Sequence, residues 1–90
     1  MSTAQIVVRY WAAARTAAGV DHDALPTDVP LTLAEVVRRA VAAHPGTRLA
    51  GVLEICSVLV GDRPVATEDP ATVEVLPGQS VEFLPPFAGG

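Results

Sequence analysis

The sequence predicts an α+β fold, a mixed sheet with one main helix packed across one face. Three observations predict it. The segments read in the order strand, second strand, helix, strand, short strand, strand, so one long helix stands among several strands. The first and last strands alternate apolar and charged residues, as strands do when one sheet face is buried. Between them lies an amphipathic stretch that opens on a helix-capping pattern.

Gln5-Ile6-Val7-Val8-Arg9-Tyr10-Trp11 is rich in β-branched and aromatic residues and reads as the first strand. Ile6, Val8 and Tyr10 share one face, and Val7, Arg9 and Trp11 the other. The strand runs into Ala12 to Ala18, a short helical stretch that Gly19 stops at a C′ position. Residues 20–26 are expected to pair antiparallel with the first strand, and Pro26 to Pro30 to form a loop. Thr32-Leu33-Ala34-Glu35 is a capping box: the Thr32 hydroxyl accepts from the Glu35 amide, and the Glu35 carboxylate reaches back. Leu33, Val36, Val37, Ala40 and Val41 then fall on one helical stripe, with Glu35, Arg38 and Arg39 on the solvated side. His44-Pro45-Gly46 ends the helix.

Residues 47–54 are poorly defined in pattern, with room for a short turn of helix. Ile55 to Val60 reads as a strand, Gly61-Asp62 as its turn, and Pro64-Val65-Ala66 as a short edge strand. Thr67 to Thr72 is a polar loop, Leu76-Pro77-Gly78-Gln79 a turn, and Ser80 to Leu84 the last strand. There Val81 and Phe83 share one face, Glu82 and Leu84 the other. Arg9 and Glu82 mark the solvent faces, so Trp11 and Leu84 emerge on the outer side. If the first and last strands are neighbours, Trp11 and Leu84 meet there and, with Phe87, form a candidate docking patch. The competing reading folds Trp11 under a loop as core.

Ninety residues make a single domain, divided here into a compact part, 1–84, and an extended tail, 85–90. Half of the residues are hydrophobic, which excludes disorder, yet no apolar run approaches the ~20 residues of a membrane span. No basic region precedes the first apolar stretch, so a secretory signal is not expected. One cysteine, Cys56, cannot form an internal disulfide, which fits a cytoplasmic location. Net charge is −4, and the six basic residues are arginines at 9, 15, 38, 39, 48 and 63. They form no stripe that would neutralise phosphates, so a nucleic-acid partner is not expected. Lysine is absent, so the chain offers no ε-amine for an isopeptide bond.

The tail is the most specific feature. Pro85 and Pro86 fix φ and extend the chain, Phe87-Ala88 follows, and Gly89-Gly90 is stripped of side chains. Extended, Pro85 to Gly90 reaches roughly 20 Å, enough to thread a narrow channel in a partner and carry the Gly90 α-carboxylate inside. With a pKa of about 3.3–3.7 that carboxylate is an anion and a poor electrophile. Activation by ATP as a mixed anhydride with AMP would let sulfide or an amine displace AMP, giving a thiocarboxylate or an amide. Glycine's missing Cβ permits the close approach. The catalytic groups would belong to the partner.

The remaining residues carry little chemistry. His22 and His44 stand apart from any ligand set in sequence, and His44 most simply meets a helix dipole. Cys56 reads as a buried thiol with nothing nearby to lower its pKa. Asp62 is ordinary turn chemistry, and Arg15 is either a contact for an acidic partner or a solvated helix residue. No phosphate loop, catalytic triad or metal-ligand spacing is present. The chain is not expected to be an enzyme alone, or to bind a cofactor or metal itself.

Ile6-Val7-Val8-Arg9-Tyr10-Trp11-Ala12-Ala13-Ala14-Arg15, with Gly19 four residues on, resembles the opening of the molybdopterin synthase small-subunit family. Val81 to Gly90, with its double proline and diglycine, resembles that family's ending. The resemblance covers nearly the whole chain and is specific at both ends. It implies a ubiquitin-like β-grasp fold. It further implies adenylation of Gly90 by an E1-like enzyme using ATP, then sulfuration to a thiocarboxylate by a persulfide donor. The tail (Pro85, Pro86, Phe87, Ala88, Gly89) would enter a larger catalytic subunit and give sulfur to cyclic pyranopterin monophosphate, forming the molybdopterin dithiolene. Trp11 and Leu84 match the family's apolar partner contacts, and a two-plus-two assembly with the large subunit is implied. The alternatives are a sulfur carrier for thiamine or cysteine synthesis, a ubiquitin-like protein modifier, and a non-covalent binding module with an incidental diglycine.

Overall fold

Ten short elements follow the expected order with three additions. In a computed structural model that describes residues 4–65 and 67–86, the elements in chain order are β1 (Gln5–Tyr10), α1 (Ala12–Ala18), β2 (His22–Pro26), β3 (Leu31–Thr32), α2 (Leu33–Ala42), α3 (Leu49–Ile55), β4 (Ser57–Val60), β5 (Arg63–Pro64), β6 (Glu74–Val75) and β7 (Ser80–Leu84). The main sheet has the order β2-β1-β7-β4-β5. At its centre β1 and β7 run parallel, and the flanking pairs are antiparallel. The first and last strands are therefore neighbours, as the tail-root argument required. Pro64 lies on an edge strand, where its missing N–H breaks no ladder. The two-residue strands β3 and β6 pair apart from this sheet.

Period-two alternation decides which face is buried. Ile6, Val8 and Tyr10 of β1 and Val81 and Phe83 of β7 are all at most 1% exposed. Each such side chain contributes about 1.5–3 kcal/mol by leaving water. Against this face pack Leu33, Val36 and Ala40 of α2 and Leu49 and Leu53 of α3. The rings of Tyr10 and Phe83 stack with centroids 6.4 Å apart. Arg9 and Glu82 sit directly opposite each other on the outer face.

Thr32 caps α2 by accepting from the Glu35 amide at 3.1 Å. The second half of the expected capping box is absent. The Glu35 carboxylate instead takes charged hydrogen bonds from Arg38 and Arg39, which lower its pKa to about 2. Gly19 closes α1 in the left-handed conformation, φ 79°, as expected.

Three readings are corrected. Residues 47–54 hold more than a turn: α3 buries Leu49 and Leu53 at helical spacing. Ile55 ends that helix and is 65% exposed, so the following strand begins at Ser57 rather than Ile55. The short strand is Arg63–Pro64 rather than residues 64–66, and Ala66 lies outside the described residues.

Candidate functional site

The parallel pairing of β1 with β7 brings the end of the first strand to the root of the tail. Arg9 pairs with Glu82 and Tyr10 with Phe83, which sets Trp11 beside Leu84. The Trp11 amide donates to the Phe83 carbonyl at 3.1 Å, carrying the ladder past the last residue of β1. Its extended backbone serves as the N-cap of α1, with its carbonyl accepting from the Ala14 amide at 3.0 Å. One residue on, Ala12 takes φ 50°, a left-handed corner where a Cβ costs roughly 1–2 kcal/mol. The chain accepts that strain to turn from strand to helix at the tail root, and the alanine run gave no hint of it.

Trp11 is on the surface. It is 43% exposed, which settles the alternative of a buried core tryptophan. Its indole N–H donates to Glu82 Oε1 at 3.1 Å, fixing the ring on the outer face of β7. Leu84 is half-buried on the same face. Arg15 lies exposed on α1 and adds its charge to the field at Asp21. The Asp21 carboxyl is held below its ordinary value first by a hydrogen bond with His22, then by Arg15 and Arg9. Trp11, Leu84 and Arg15 thus surround one end of the sheet, where Pro85 and Pro86 leave it exposed to solvent. The remaining tail residues assigned from sequence, Phe87, Ala88, Gly89 and Gly90, lie outside the described residues.

The histidines are less isolated than their sequence neighbours suggested. His44 Nε2 lies 2.5 Å from Asp23 Oδ2, which also accepts from the Tyr10 hydroxyl at 2.8 Å. The Tyr10 and His44 rings meet edge-on with centroids 6.1 Å apart. This cluster ties edge strand β2 to the end of α2, a structural role in place of the dipole contact expected of His44. It holds the Tyr10 phenol strongly toward its protonated form, chiefly by burial, then by the hydrogen bond and charge of Asp23.

Cys56 donates from Sγ to the Val52 carbonyl at 3.2 Å. Burial pushes its thiol pKa up, which lowers its thiolate fraction near neutral pH. No group of three or more metal-ligating side chains occurs among the described residues, and no helix there is long and apolar enough to cross a membrane. The arrangement presents a partly apolar face beside Pro85 and Pro86, where the chain leaves the sheet.

Comparison with known proteins is consistent with this geometry. A model of the ThiS family matches residues 8–90. The molybdopterin synthase sulfur carrier subunit of Aspergillus niger is 32% identical over 83 residues, covering 92% of this chain and 91% of the fungal protein. A Haloferax volcanii protein known from its solution structure superposes with a TM-score of 0.72 at 28% identity, over 98% of this chain and 88% of that one. The small archaeal modifier protein 1 of Methanosarcina acetivorans superposes with a TM-score of 0.74 at 17% identity, over 100% of both chains, a likeness that shows the fold alone. The mixed sheet grasping α2 is the ubiquitin-like β-grasp that the resemblance implied, and the chain belongs to the ThiS family.

Proposed function

We propose that the chain is the sulfur-carrier subunit of a molybdopterin synthase. It bears sulfur as a thiocarboxylate on Gly90 and donates it to cyclic pyranopterin monophosphate, building the molybdopterin dithiolene. The observation that carries this reading is the relative of that name, similar over nearly the full length of both chains. The family match that runs through Gly90 supports it.

The chemistry asks little of the domain itself. On an E1-like adenylyltransferase, the Gly90 carboxylate attacks the α-phosphorus of ATP and expels pyrophosphate. The terminal sulfur of a donor persulfide then attacks the acyl carbon and expels AMP. A second donor thiol cleaves the S–S bond, leaving the thiocarboxylate on Gly90 and a disulfide on the donor. The charged tail enters the large catalytic subunit, and two carriers serve each dithiolene, which fits a two-plus-two assembly. The chain supplies a handle and a reactive end, and is no catalyst by itself.

Intact-mass measurement after co-expression with an E1-like activator and a persulfide donor tests the reading. The expected product is heavier by the difference between sulfur and oxygen, and it converts cyclic pyranopterin monophosphate when the large subunit is added. Transfer instead to a thiazole precursor or a phosphoserine-type substrate would move the chain to another sulfur pathway. A ladder of protein conjugates would make it a modifier.

Trp11→Ala is expected to weaken binding to the large subunit by more than about 1 kcal/mol, because the exposed indole is an anchor held in place by Glu82. Titration calorimetry beside a thermal melt checks it. Loss of folding in place of loss of binding would overturn the assignment.

A further inference from the structure

The helix side of the sheet carries a feature that sulfur transfer does not use. A cavity of about 480 Å³ opens between α2, α3 and the loop after β5. Val37, Leu53, Val58 and Phe83 form its apolar lining, and Glu54 and Glu68 also line it. That size lies within the range of sites that hold a small ligand or a bulky side chain.

Its charge is one-sided. No arginine lines it among the described residues. Glu68 already pairs with Arg63 at 2.6 Å, whereas no ion pair holds Glu54 among the described residues. Glu54 sits in the last turn of α3, where the helix carbonyls add partial negative charge. The Cys56 thiol is also in the lining, and burial raises its pKa.

We infer that this cavity is a docking site for a second protein partner, taking a bulky apolar side chain next to an arginine or lysine that pairs with Glu54. The apolar lining takes the side chain, and the uncompensated carboxylate selects the cation beside it. Phe83 and Leu84 point to opposite faces of β7, so the cavity and the Trp11–Leu84 face lie on opposite sides of the sheet. Both can therefore be occupied at once, and the inference does not depend on the sulfur-carrier reading.

Acetyl-Phe-Arg-amide, titrated into the ¹⁵N-labelled full chain, tests it. Saturable shifts are expected at Val37, Leu53, Val58 and Val65, with a dissociation constant of about 1 mM for so small a probe. Acetyl-Phe-Glu-amide should bind about fivefold more weakly, and Glu54→Gln should erase most of that difference. Equal affinity for the two peptides, shifts centred on Trp11, or no saturation in the millimolar range would each overturn the proposal. So would a chain shortened after Pro86 whose cavity resonances differ from the full chain's before any peptide is added, since that would seat the chain's own tail there.

Discussion

Removing Gly90 is expected to abolish sulfur transfer while leaving the thermal midpoint within about 2 °C of the parent. The two halves of this result have separate causes. Stability resides in the face built from Ile6, Val8, Tyr10, Val81 and Phe83 with α2 and α3. Reactivity resides at the final carbonyl carbon, and a tail ending at Gly89 delivers that atom one residue, about 3.5 Å, short. Misplacement of a reacting atom by about 1 Å already costs roughly a hundredfold in rate, so a whole residue should leave no measurable turnover. Appending one residue after Gly90 should fail likewise, because it moves the carboxylate too far and leaves a side chain where none fits. The measurements are thiocarboxylate formation by intact mass and unfolding by calorimetry on the same samples. A fall of more than about 5 °C would mean that the tail packs on the domain, and the handle-and-tail division would be wrong.

Much of the sheet and its main helix was legible from residues. Alternation in Gln5–Tyr10 and Ser80–Leu84 named the buried faces, and Arg9 and Glu82 named the outer one. The threonine before Leu33 marked where α2 starts. Trp11 and Leu84 fell on one face by the same parity rule, and the parallel register of β1 with β7 brought them together.

What was missed has a common cause, since each case turns on a partner far away in sequence or on a segment too short for a period. The indole of Trp11 bonds to a carboxylate 71 positions on, and His44 to one 21 positions back. Neither spacing means anything before the sheet order is known. Strands β3 and β6 are two residues each and carry no alternation to detect. In α3, Leu49, Val52 and Leu53 do recur at helical spacing. Gly51 lowers the helix propensity of so short a segment, and Ile55 runs into the apolar Ser57–Val60, so the junction reads as one longer strand.

Stability should fall as the pH rises above about 10, and Tyr10 should be the main reason. The phenol is buried and donates to Asp23, so its folded pKa is raised well above the ordinary value of a tyrosine. In the unfolded chain it ionises near pH 10. Above that pH the unfolded state holds fewer protons than the native state, and the slope of unfolding free energy against pH turns negative. The stabilisation from the protonated phenol is complete below the unfolded value and is lost as the pH climbs toward the folded one. One such site gives a slope of about 1.4 kcal/mol per pH unit, or roughly 3 kcal/mol across two units. Cys56 acts with the same sign from a lower starting point, because burial raises its pKa too. The composition makes the experiment clean: the chain has a single tyrosine and no lysine to titrate in this window. Urea midpoints at a series of pH values, read beside the near-ultraviolet absorbance of phenolate, should show both changes arriving together as the protein unfolds. Tyr10→Phe should cost about 1 kcal/mol below the transition, from the lost hydrogen bond, and flatten the slope above it. If phenolate instead formed near pH 10 in the still-folded protein, the Tyr10–Asp23–His44 cluster would be open to solvent and could not anchor β2 to the end of α2.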